Sequence, residues 1–453
     1  MHIGYVKDQQ GSVLEVLEHA LVRSLADGPE PRCAILLIGL ERFRALSDNL
    51  GYSFGEEVLN LGGQRIASAL RQKDTLLRLS NDQFVVLLNS SRSAGESRMV
   101  AKRLIDLLER PYAIEGQVVN VSASVGIALG PQNGLHAELL LNRAGIALRG
   151  AKTLEPGTCQ FFDVAMEERI KARQALTADL RKALLLHQFE VHYQLQISMR
   201  SRHLAGVEAL LRWRHPTLGM VPPADFIPIA EDLGLIGSIG EWVLRTACRQ
   251  AAMLPYGAVM AVNASPVQLR DRSFLNSVER ALINADLPPS RLEIEITEGV
   301  LLQHTPIVLE TLHALHSMGV RLAIDDFGTG YSSLGQLAKL PFDTIKVDRS
   351  LVGASPQQRA ILRSIVSLGE GLHMSILAEG LETEEEFDNA FSAGCTLGQG
   401  YLFGKAIPSS QLDELLSRLS RGVTPSPTKQ CRQGMIRSKE WPPRGAERHS
   451  RIS

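Results

Sequence analysis

The 453-residue chain is poor in cysteine and lacks the paired spacings that hold metals or disulfides. Its five cysteines, at positions 33, 159, 248, 395 and 431, form no CxxC pair, and their number is odd. A disulfide framework and a cysteine zinc site are therefore not expected. A reducing compartment is the simpler interpretation, and we expect a cytoplasmic protein.

The chain also lacks an excess of charge of one sign. Lys and Arg number 48 and Asp and Glu 49, a net charge of −1, which argues against a protein that coats a nucleic acid polymer. The balance conceals an asymmetry, because residues 421–453 carry a net charge of +6 and the rest −7. That segment is rich in Pro, Ser and Arg without apolar periodicity, and we predict a disordered tail.

Long apolar runs are absent as well. The longest runs, such as Cys33–Leu40, are too short to span a bilayer, so no transmembrane segment is expected. The N-terminal residues MHIGYVKDQQ lack the apolar stretch of a secretory signal peptide.

The pattern of apolar residues divides the chain into segments. The run CAILLIGL predicts a buried strand, and TLLRLSNDQFVVLLN predicts a hairpin around a polar turn at Ser80–Gln83. We predict a helical extension at 1–31, an α+β domain at 32–163, a helical linker at 164–175, a second domain at 176–420 and the tail at 421–453.

The second domain has eight strand-like runs separated by helix-length spacers. The runs are FEVHYQ, GVEALLRW, AVMAVNAS, RLEIEIT, VRLAIDD, DTIKVD, MSILAEG and TLGQGY. Eight such units over about 240 residues fit an α/β fold of the TIM-like (β/α)8 barrel type. A doubly wound open sheet has the same alternation and stays open as an alternative.

Most of these runs end in polar residues, which in a parallel barrel converge on one mouth. So many acids would repel one another without divalent cations, and oxygen ligands without His or Cys favour Mg²⁺ or Mn²⁺. The adjacent Asp325 and Asp326 suit a site in which one carboxylate bridges two metal ions. Such a pair of ions can activate a water molecule and stabilise an in-line displacement at phosphorus. This pattern does not separate phosphodiester hydrolysis from metal-dependent enolisation. The residues are Glu208, Asn263, Glu295, Glu298, Asp325, Asp326, Lys346, Asp348, Glu379 and Gln399.

Two further features accompany the acids. The segment DDFGTGYSSLGQL at 325–337 predicts a mobile loop over the site, although its glycines also suit an ordinary tight turn. Arg212, four residues after Glu208, can offer a planar fork to a phosphate or pair with a neighbouring acid.

Seven motifs in order closely resemble the EAL-type cyclic di-GMP phosphodiesterases over about residues 176–419. They are EALLRW, VNAS, EITE, DDFGTGYSSL, IKVD, AEGLE and GCTLGQGYLFGKAIP. The resemblance implies a TIM-like barrel whose first strand is antiparallel to the others. It also implies hydrolysis of cyclic di-GMP to linear pGpG with two Mg²⁺ or Mn²⁺ ions.

The resemblance also implies a role for each matching residue. The implied metal ligands are Glu208, Asn263, Glu295, Asp325, Asp326 and Glu379. The implied catalytic residues are Glu208, Lys346 and Glu379, with Glu379 as general base or second-site ligand. The implied substrate contacts are Gln194, Arg212, Asp348, Glu382 and Gln399, while Glu298 would anchor the loop after Asp326.

Two positions depart from the pattern of this family. Leu195 stands where the family has the proline of YQP, and Ala406 replaces the proline after QGYLFSK. Both lie beside the predicted pocket and remove no catalytic group.

Residues 32–162 resemble a GGDEF domain, the fold of diguanylate cyclases, with a degraded signature. It reads Ser80-Asn81-Asp82-Gln83-Phe84, and Gly39 stands at the first metal-binding aspartate. The lost carboxylates weaken a Mg²⁺ site, and Ser80 and Asn81 add side chains where the backbone should approach GTP. We expect no cyclase activity and a regulatory or dimerisation module, with GTP as a candidate regulatory ligand.

Arg71 and Asp74 have the spacing of the inhibitory RxxD site for cyclic di-GMP in that family, five residues before the signature. A surface ion pair explains the same pattern equally well.

Two functions fit the whole chain. The first is an active cyclic di-GMP phosphodiesterase with a silent N-terminal domain. The second is a non-hydrolysing cyclic di-GMP receptor that signals through a partner protein. The intact set of metal ligands favours the enzyme. The resemblance also implies a homodimer. We expect its input signal to come through a protein partner, a nucleotide or the N-terminal helix.

Overall fold

The structure is a computed structural model that describes residues 10–26, 33–41, 43–80, 82–89, 93–154, 157–255, 257–303, 305–328, 337, 339–353 and 355–420. The predicted tail at 421–453 and residues 329–336 of the predicted loop lie outside the described residues. The chain divides into two compact units between Ala175 and Leu176. The finer domain boundaries given above stay predictions.

The first unit combines helices with one main sheet. Its described elements are α1 (Gln10–Ala26), β1 (Cys33–Leu40), α2 (Phe43–Leu50), α3 (Tyr52–Ala69), β2 (Thr75–Ser80), β3 (Gln83–Asn89), α4 (Ala94–Leu108), β4 (Tyr112–Ile114), β5 (Gln117–Val119), β6 (Ala123–Gly130), α5 (Ala137–Leu154), β7 (Cys159–Phe161) and the first part of α6 (Val164–Ala183). The antiparallel pairing of β2 with β3 confirms the predicted hairpin.

The apolar run CAILLIGL forms β1, which is buried along its whole length. The sheet order is β2-β3-β1-β6-β7, and β1 is antiparallel to both of its neighbours. Leu36 and Ile38 pack in one hydrophobic core, whereas Ile35 and Leu37 pack in another. Helices therefore cover both faces of the sheet, which explains why every position of this strand is apolar.

The second unit alternates strands and helices. After α6, its described elements are β8 (Phe189–Ser198), β9 (Leu204–His215), β10 (Gly219–Val221), α7 (Pro223–Asp232), α8 (Ile236–Ala252), β11 (Val259–Asn263), α9 (Pro266–Leu269), α10 (Ser273–Ala285), β12 (Leu292–Thr297), α11 (Pro306–Ser317), β13 (Arg321–Phe327), β14 (Thr344–Val347), α12 (Pro356–Gly371), β15 (Ser375–Ala378), α13 (Glu384–Ala393), β16 (Leu397–Gln399), β17 (Ile407–Pro408) and α14 (Ser409–Ser420). Within the described ranges, no helix is both long enough and apolar enough to cross a membrane.

Eight of these strands close into a barrel. From β9 through β11 to β16, neighbouring strands are parallel. The first strand, β8, is antiparallel to both β9 and β16 and thereby joins the two ends of the sheet. This pairing confirms the predicted TIM-like barrel with one antiparallel strand, and the open-sheet alternative is wrong.

The two faces of each barrel strand carry different residues, as β12 (LEIEIT) illustrates. Leu292, Ile294 and Ile296 belong to the hydrophobic core of this unit. The alternate residues Glu293 and Glu295 are also buried, although they are charged. Since successive side chains of a strand point to opposite faces, the glutamates face the barrel interior while the aliphatic residues pack against the helices.

A close approach of β6 to α5 generates a stability prediction. A Cβ atom at Gly126 would lie 2.0 Å from the carbonyl oxygen of Ala144 and 2.2 Å from the amide nitrogen of Leu148. Because backbone atoms cannot rotate away, we expect Gly126→Ala to lower the free energy of unfolding of the first unit by about 3 kcal/mol. Urea unfolding followed by circular dichroism measures the change.

Gly145→Ala is the matched control, because a Cβ atom there would lie 3.7 Å from the nearest side-chain carbon of Leu37. Alanine favours a helix over glycine, so this variant should be unchanged or more stable by up to about 1 kcal/mol. Equal unfolding midpoints for the two variants would contradict the close-contact explanation.

Candidate active site

The polar residues predicted at the strand ends converge on one mouth of the barrel. Asn263 and Gln399 are the last residues of β11 and β16, and Glu379 directly follows β15. Asn263 is in register with Glu295 on the neighbouring β12. Gln194 joins them from β8, opposite Glu208, because that strand runs in the reverse direction.

Lys346 of β14 lies at the centre of this group with 1% of its surface exposed. Its Nζ atom lies 2.8 Å from Glu295 Oε2, 2.9 Å from Glu379 Oε1, 3.1 Å from Asp325 Oδ1 and 3.7 Å from Glu208 Oε1. Burial of an isolated ammonium group would cost several kcal/mol or more, and surrounding anions offset that cost. One cation therefore holds four carboxylates together.

Two side-chain amides fix the orientation of Glu208. Asn263 Nδ2 donates to Glu208 Oε1 at 2.7 Å and to Glu295 Oε2 at 3.2 Å. Gln399 Nε2 donates to Glu208 Oε2 and, at 3.3 Å, to Gln194 Oε1. Both oxygens of Glu208 thus have a donor, which restricts this side chain to one arrangement.

An irregularity in β13 turns its two aspartates toward the loop after β15. The register of β13 with β14 shifts between Ile324 and Phe327. Asp326 has φ 55°, a left-handed conformation that aspartate tolerates better than most residues. One oxygen atom from each of Asp325, Asp326 and Glu379 lies within 4.8 Å of the other two.

Glu298 fixes the chain just after these aspartates. Its Oε2 accepts a hydrogen bond from the amide of Gly328 at 2.9 Å, and the side chain is buried. Gly328 has φ 97°, and a Cβ atom there would lie 2.5 Å from Leu351 Cδ1. This contact supports the predicted role of Glu298 as a loop anchor, which stays a prediction because residues 329–336 lie outside the described residues.

Burial and neighbouring charges separate the pKa values of the clustered groups. Burial, with Glu208 adding to it, raises the pKa of Glu295 well above its ordinary value. Burial opposes ionisation of Glu208 too, but Lys346 and the amide donors outweigh it and lower the pKa of Glu208. Burial raises the pKa of Glu379 to about 7, which suits a general base at neutral pH.

The pKa of Lys346 is raised well above its ordinary value, because the surrounding carboxylates outweigh the opposing effect of burial. This lysine is therefore a permanent positive charge at neutral pH.

The residues of the cluster fit a divalent metal ion. Its carboxylates outnumber the single ammonium group that contacts them in the described part of the chain. Glu295 Oε1 is buried and has no hydrogen-bond partner among the described residues. Buried oxygen atoms of this kind call for a cation, and an oxygen-only donor set suits Mg²⁺ or Mn²⁺.

Three predicted substrate contacts have partners outside the Lys346 cluster. Arg212 is half-buried and donates to the preceding carbonyl oxygen at 2.9 Å. Asp348 accepts a hydrogen bond at 2.9 Å from the amide two residues further on. Glu382 Oε1 lies 2.7 Å from the guanidinium of Arg349. Their roles in binding stay predictions.

In the first unit, Arg71 forms an ion pair with Glu96 at 3.0 Å. Asp74 accepts hydrogen bonds from the amides of Arg71, at 2.9 Å, and Asn89, at 3.2 Å. Asp74 therefore stabilises its own turn, and a cyclic di-GMP site at Arg71 and Asp74 stays a prediction.

Sequence reasoning missed Glu293, a buried carboxylate on β12. Its Oε2 accepts a hydrogen bond from Thr344 Oγ1 at 2.7 Å. The available signal was the spacing in LEIEIT, because residues two apart on a strand face the same side and Glu295 lies two residues further on.

The closed barrel and the carboxylate cluster at its mouth define a TIM-type barrel protein with a candidate divalent-metal site. The family model of the EAL domain matches residues 177–406, and the chain belongs to this family. The model of the diguanylate cyclase GGDEF domain matches residues 13–156. The predicted succession of a GGDEF domain and an EAL domain is thereby confirmed.

The chain is similar to larger proteins from bacteria. It is 41% identical over 395 residues to an uncharacterized protein of Sinorhizobium fredii, covering 86% of this chain and 48% of that protein. It is 38% identical over 403 residues to the bifunctional diguanylate cyclase/cyclic di-GMP phosphodiesterase MucR of Pseudomonas aeruginosa, covering 87% and 58%. The chain thus spans about half the length of these relatives.

A solved structure of the PaMucR phosphodiesterase in complex with c-di-GMP is 41% identical to the matching part of this chain. The match covers 52% of this chain and 99% of that one, with a TM-score of 0.51.

The raised pKa of Glu379 predicts how the stability of the metal-free protein depends on pH. Its pKa is about 7 in the folded protein against an ordinary value of 4.5. Such a group favours folding below its ordinary pKa, and this contribution is lost as the pH rises through about 7. In EDTA, the melting temperature of the wild type should fall between about pH 5 and about pH 8, and that of Glu379→Gln should fall less.

Differential scanning calorimetry measures both curves. Glu384→Gln is the control, since Glu384 is exposed and paired with Arg202 on the surface. If the melting temperature of Glu379→Gln fell with pH as steeply as that of the wild type and the control, the raised pKa of Glu379 would be contradicted.

Proposed function

We propose that the EAL domain of this chain is a metal-dependent phosphodiesterase that hydrolyses cyclic di-GMP to linear pGpG. The observation that carries the proposal is the buried Lys346 surrounded by four carboxylates at the barrel mouth. The similarity to MucR, a protein described as a diguanylate cyclase and cyclic di-GMP phosphodiesterase, supports the substrate. The similarity to the solved PaMucR phosphodiesterase in complex with c-di-GMP supports it further.

The clustered oxygen atoms suggest which residues hold the metal ions. Such ions, when bound, lower the pKa of a water molecule and neutralise charge on a phosphate. The proposed ligands are Glu208, Asn263, Glu295 and Asp325 for one ion, and Asp325, Asp326 and Glu379 for a second.

The remaining groups position the substrate and move a proton. Lys346, permanently charged and held by four carboxylates, donates hydrogen bonds to the phosphate or to the attacking water. Glu379 has one of two alternative roles in this proposal: it holds the second ion, or it accepts the proton of the attacking water as general base. Gln194 and Gln399 are joined by a hydrogen bond beside Glu208, and with Arg212 they are proposed to contact the dinucleotide.

We also propose that the GGDEF domain forms no cyclic di-GMP. Gly39 and Gln83, the two positions that lack a carboxylate, lie directly opposite each other on β1 and β3. A Cβ atom at Gly39 would lie 3.0 Å from both Cε and Nζ of Lys152, so an ammonium group occupies this corner. A Mg²⁺ site without these carboxylates would be weak, which supports a silent domain.

The phosphodiesterase is tested with the purified full chain and cyclic di-GMP. With Mn²⁺ or Mg²⁺ we expect pGpG to form, and excess EDTA to stop the reaction. Glu208→Gln should lower the rate at least about 100-fold, because it removes the charge of a proposed ligand. Chromatography of the nucleotides measures the product.

Glu384→Gln is the control, and its rate should stay within about twofold of the wild type, since it changes an exposed surface pair. No pGpG from the wild type with either ion would contradict the proposal. Binding of cyclic di-GMP in EDTA, without hydrolysis after metal is added, would instead identify a non-hydrolysing receptor.

The silent GGDEF domain is tested with GTP and Mg²⁺ in the Glu208→Gln variant, in which any product would survive. We expect no cyclic di-GMP, because Gly39 and Gln83 supply no metal ligands. Cyclic di-GMP added to a parallel reaction should persist, which checks that the variant does not consume it. Accumulation of the product from GTP would show that the domain is an active cyclase.

A further inference from the structure

A second inner contact joins the two strands that carry Glu295 and Lys346. Glu293 precedes Glu295 by two residues on β12, and Thr344 precedes Lys346 by two residues on β14. Thr344 Oγ1 donates to Glu293 Oε2 at 2.7 Å, and Lys346 Nζ donates to Glu295 Oε2 at 2.8 Å. Residues two apart face the same side of a strand, so the two contacts form successive layers of the barrel interior.

Both contacts reach across an intervening strand. β13 lies between β12 and β14, and its Ala323 is in register with Glu295 on one side and with Thr344 on the other. The small side chain of Ala323 leaves room for longer side chains from the flanking strands to meet. The hydrogen bond between Glu293 and Thr344 therefore ties β12 directly to β14, in addition to the backbone ladder.

This contact lies one layer below the carboxylates that contact Lys346. Glu293 is 4% exposed and Thr344 is fully buried. The cation that approaches Glu293 is Arg321, whose Nε lies 3.8 Å from Glu293 Oε2. Arg321 is the first residue of β13, at the end of the barrel opposite the mouth, whereas the Nζ of Lys346 contacts the four upper carboxylates.

We infer that the hydrogen bond between Glu293 and Thr344 is a positioning contact that sets the spacing of Lys346 and Glu295 for metal binding. The inference rests on the proposed metal site, and neither residue touches the metal or the substrate. Metal affinity depends on ligand positions to within a fraction of an ångström, and contacts behind the ligands commonly change it about 10-fold to 100-fold when removed.

The test compares Thr344→Val with Thr344→Ser in the full chain. Valine keeps the shape and removes the hydroxyl group, whereas serine keeps the hydroxyl group and removes a methyl group. Titration calorimetry with Mn²⁺ in the absence of nucleotide measures the dissociation constant. We expect it to be about tenfold larger than that of the wild type for Thr344→Val and within about twofold of the wild type for Thr344→Ser. Thermal unfolding in EDTA measures the stability of each variant.

Thr311→Val is the matched control, since Thr311 of α11 is also buried and lies outside the barrel interior. The single proton of its hydroxyl group is donated toward the carbonyl oxygens of Ile307, at 2.8 Å, and Leu269, at 3.0 Å. It should lose stability and keep its Mn²⁺ affinity.

Because Thr344→Val leaves Glu293 without its donor, a second variant combines Glu293→Leu with Thr344→Val, which removes both polar partners. This double variant should fold and still bind Mn²⁺ about tenfold more weakly.

Wild-type Mn²⁺ affinity in Thr344→Val or in the double variant would overturn the inference while leaving the proposed function intact. A wild type that binds no Mn²⁺ would overturn the proposed metal site, and the inference with it.

Discussion

The contact on which the candidate site depends is the buried ion pairing of Lys346. Four carboxylates from separate strands and loops lie within 3.7 Å of its Nζ. In a medium of low polarity these acids would repel one another or take up protons, and removing one partner of such a cluster typically costs about 3–5 kcal/mol. The lysine thus allows the acids to stay close together, and their remaining negative charge makes the mouth a site for divalent cations.

The barrel makes this arrangement possible because it gathers strand ends that are distant in the chain. The parallel strands each bring at least one polar residue to the mouth, and the antiparallel β8 adds Gln194 from the other direction. The irregular end of β13 supplies two adjacent aspartates where a regular strand would point one of them outward. The layer beneath, formed by Glu293 and Thr344, extends the same polar ladder toward the opposite end.

In the GGDEF domain, paired strands bring together two positions that lack the carboxylates of a metal site. Its sheet is intact, with β1 buried between two helical layers, yet the opposed positions Gly39 and Gln83 supply no carboxylate. Packing of the core and chemistry of the site are thus separable, because the core needs only apolar residues of suitable size. A folded domain without its metal ligands can persist as a binding or regulatory module.

Much of this protein could be predicted from its sequence by itself. Alternating strand-like runs predicted the barrel, and the polar residues that end them predicted nearly every member of the Lys346 cluster, since both are local patterns. Only the tertiary structure decided that β8 closes the sheet, that four acids share one lysine, and that Glu293 meets Thr344 across Ala323. Contacts such as that of Gln399 with Glu208, 191 residues apart, depend on strand register and barrel closure, which no local pattern of residues encodes.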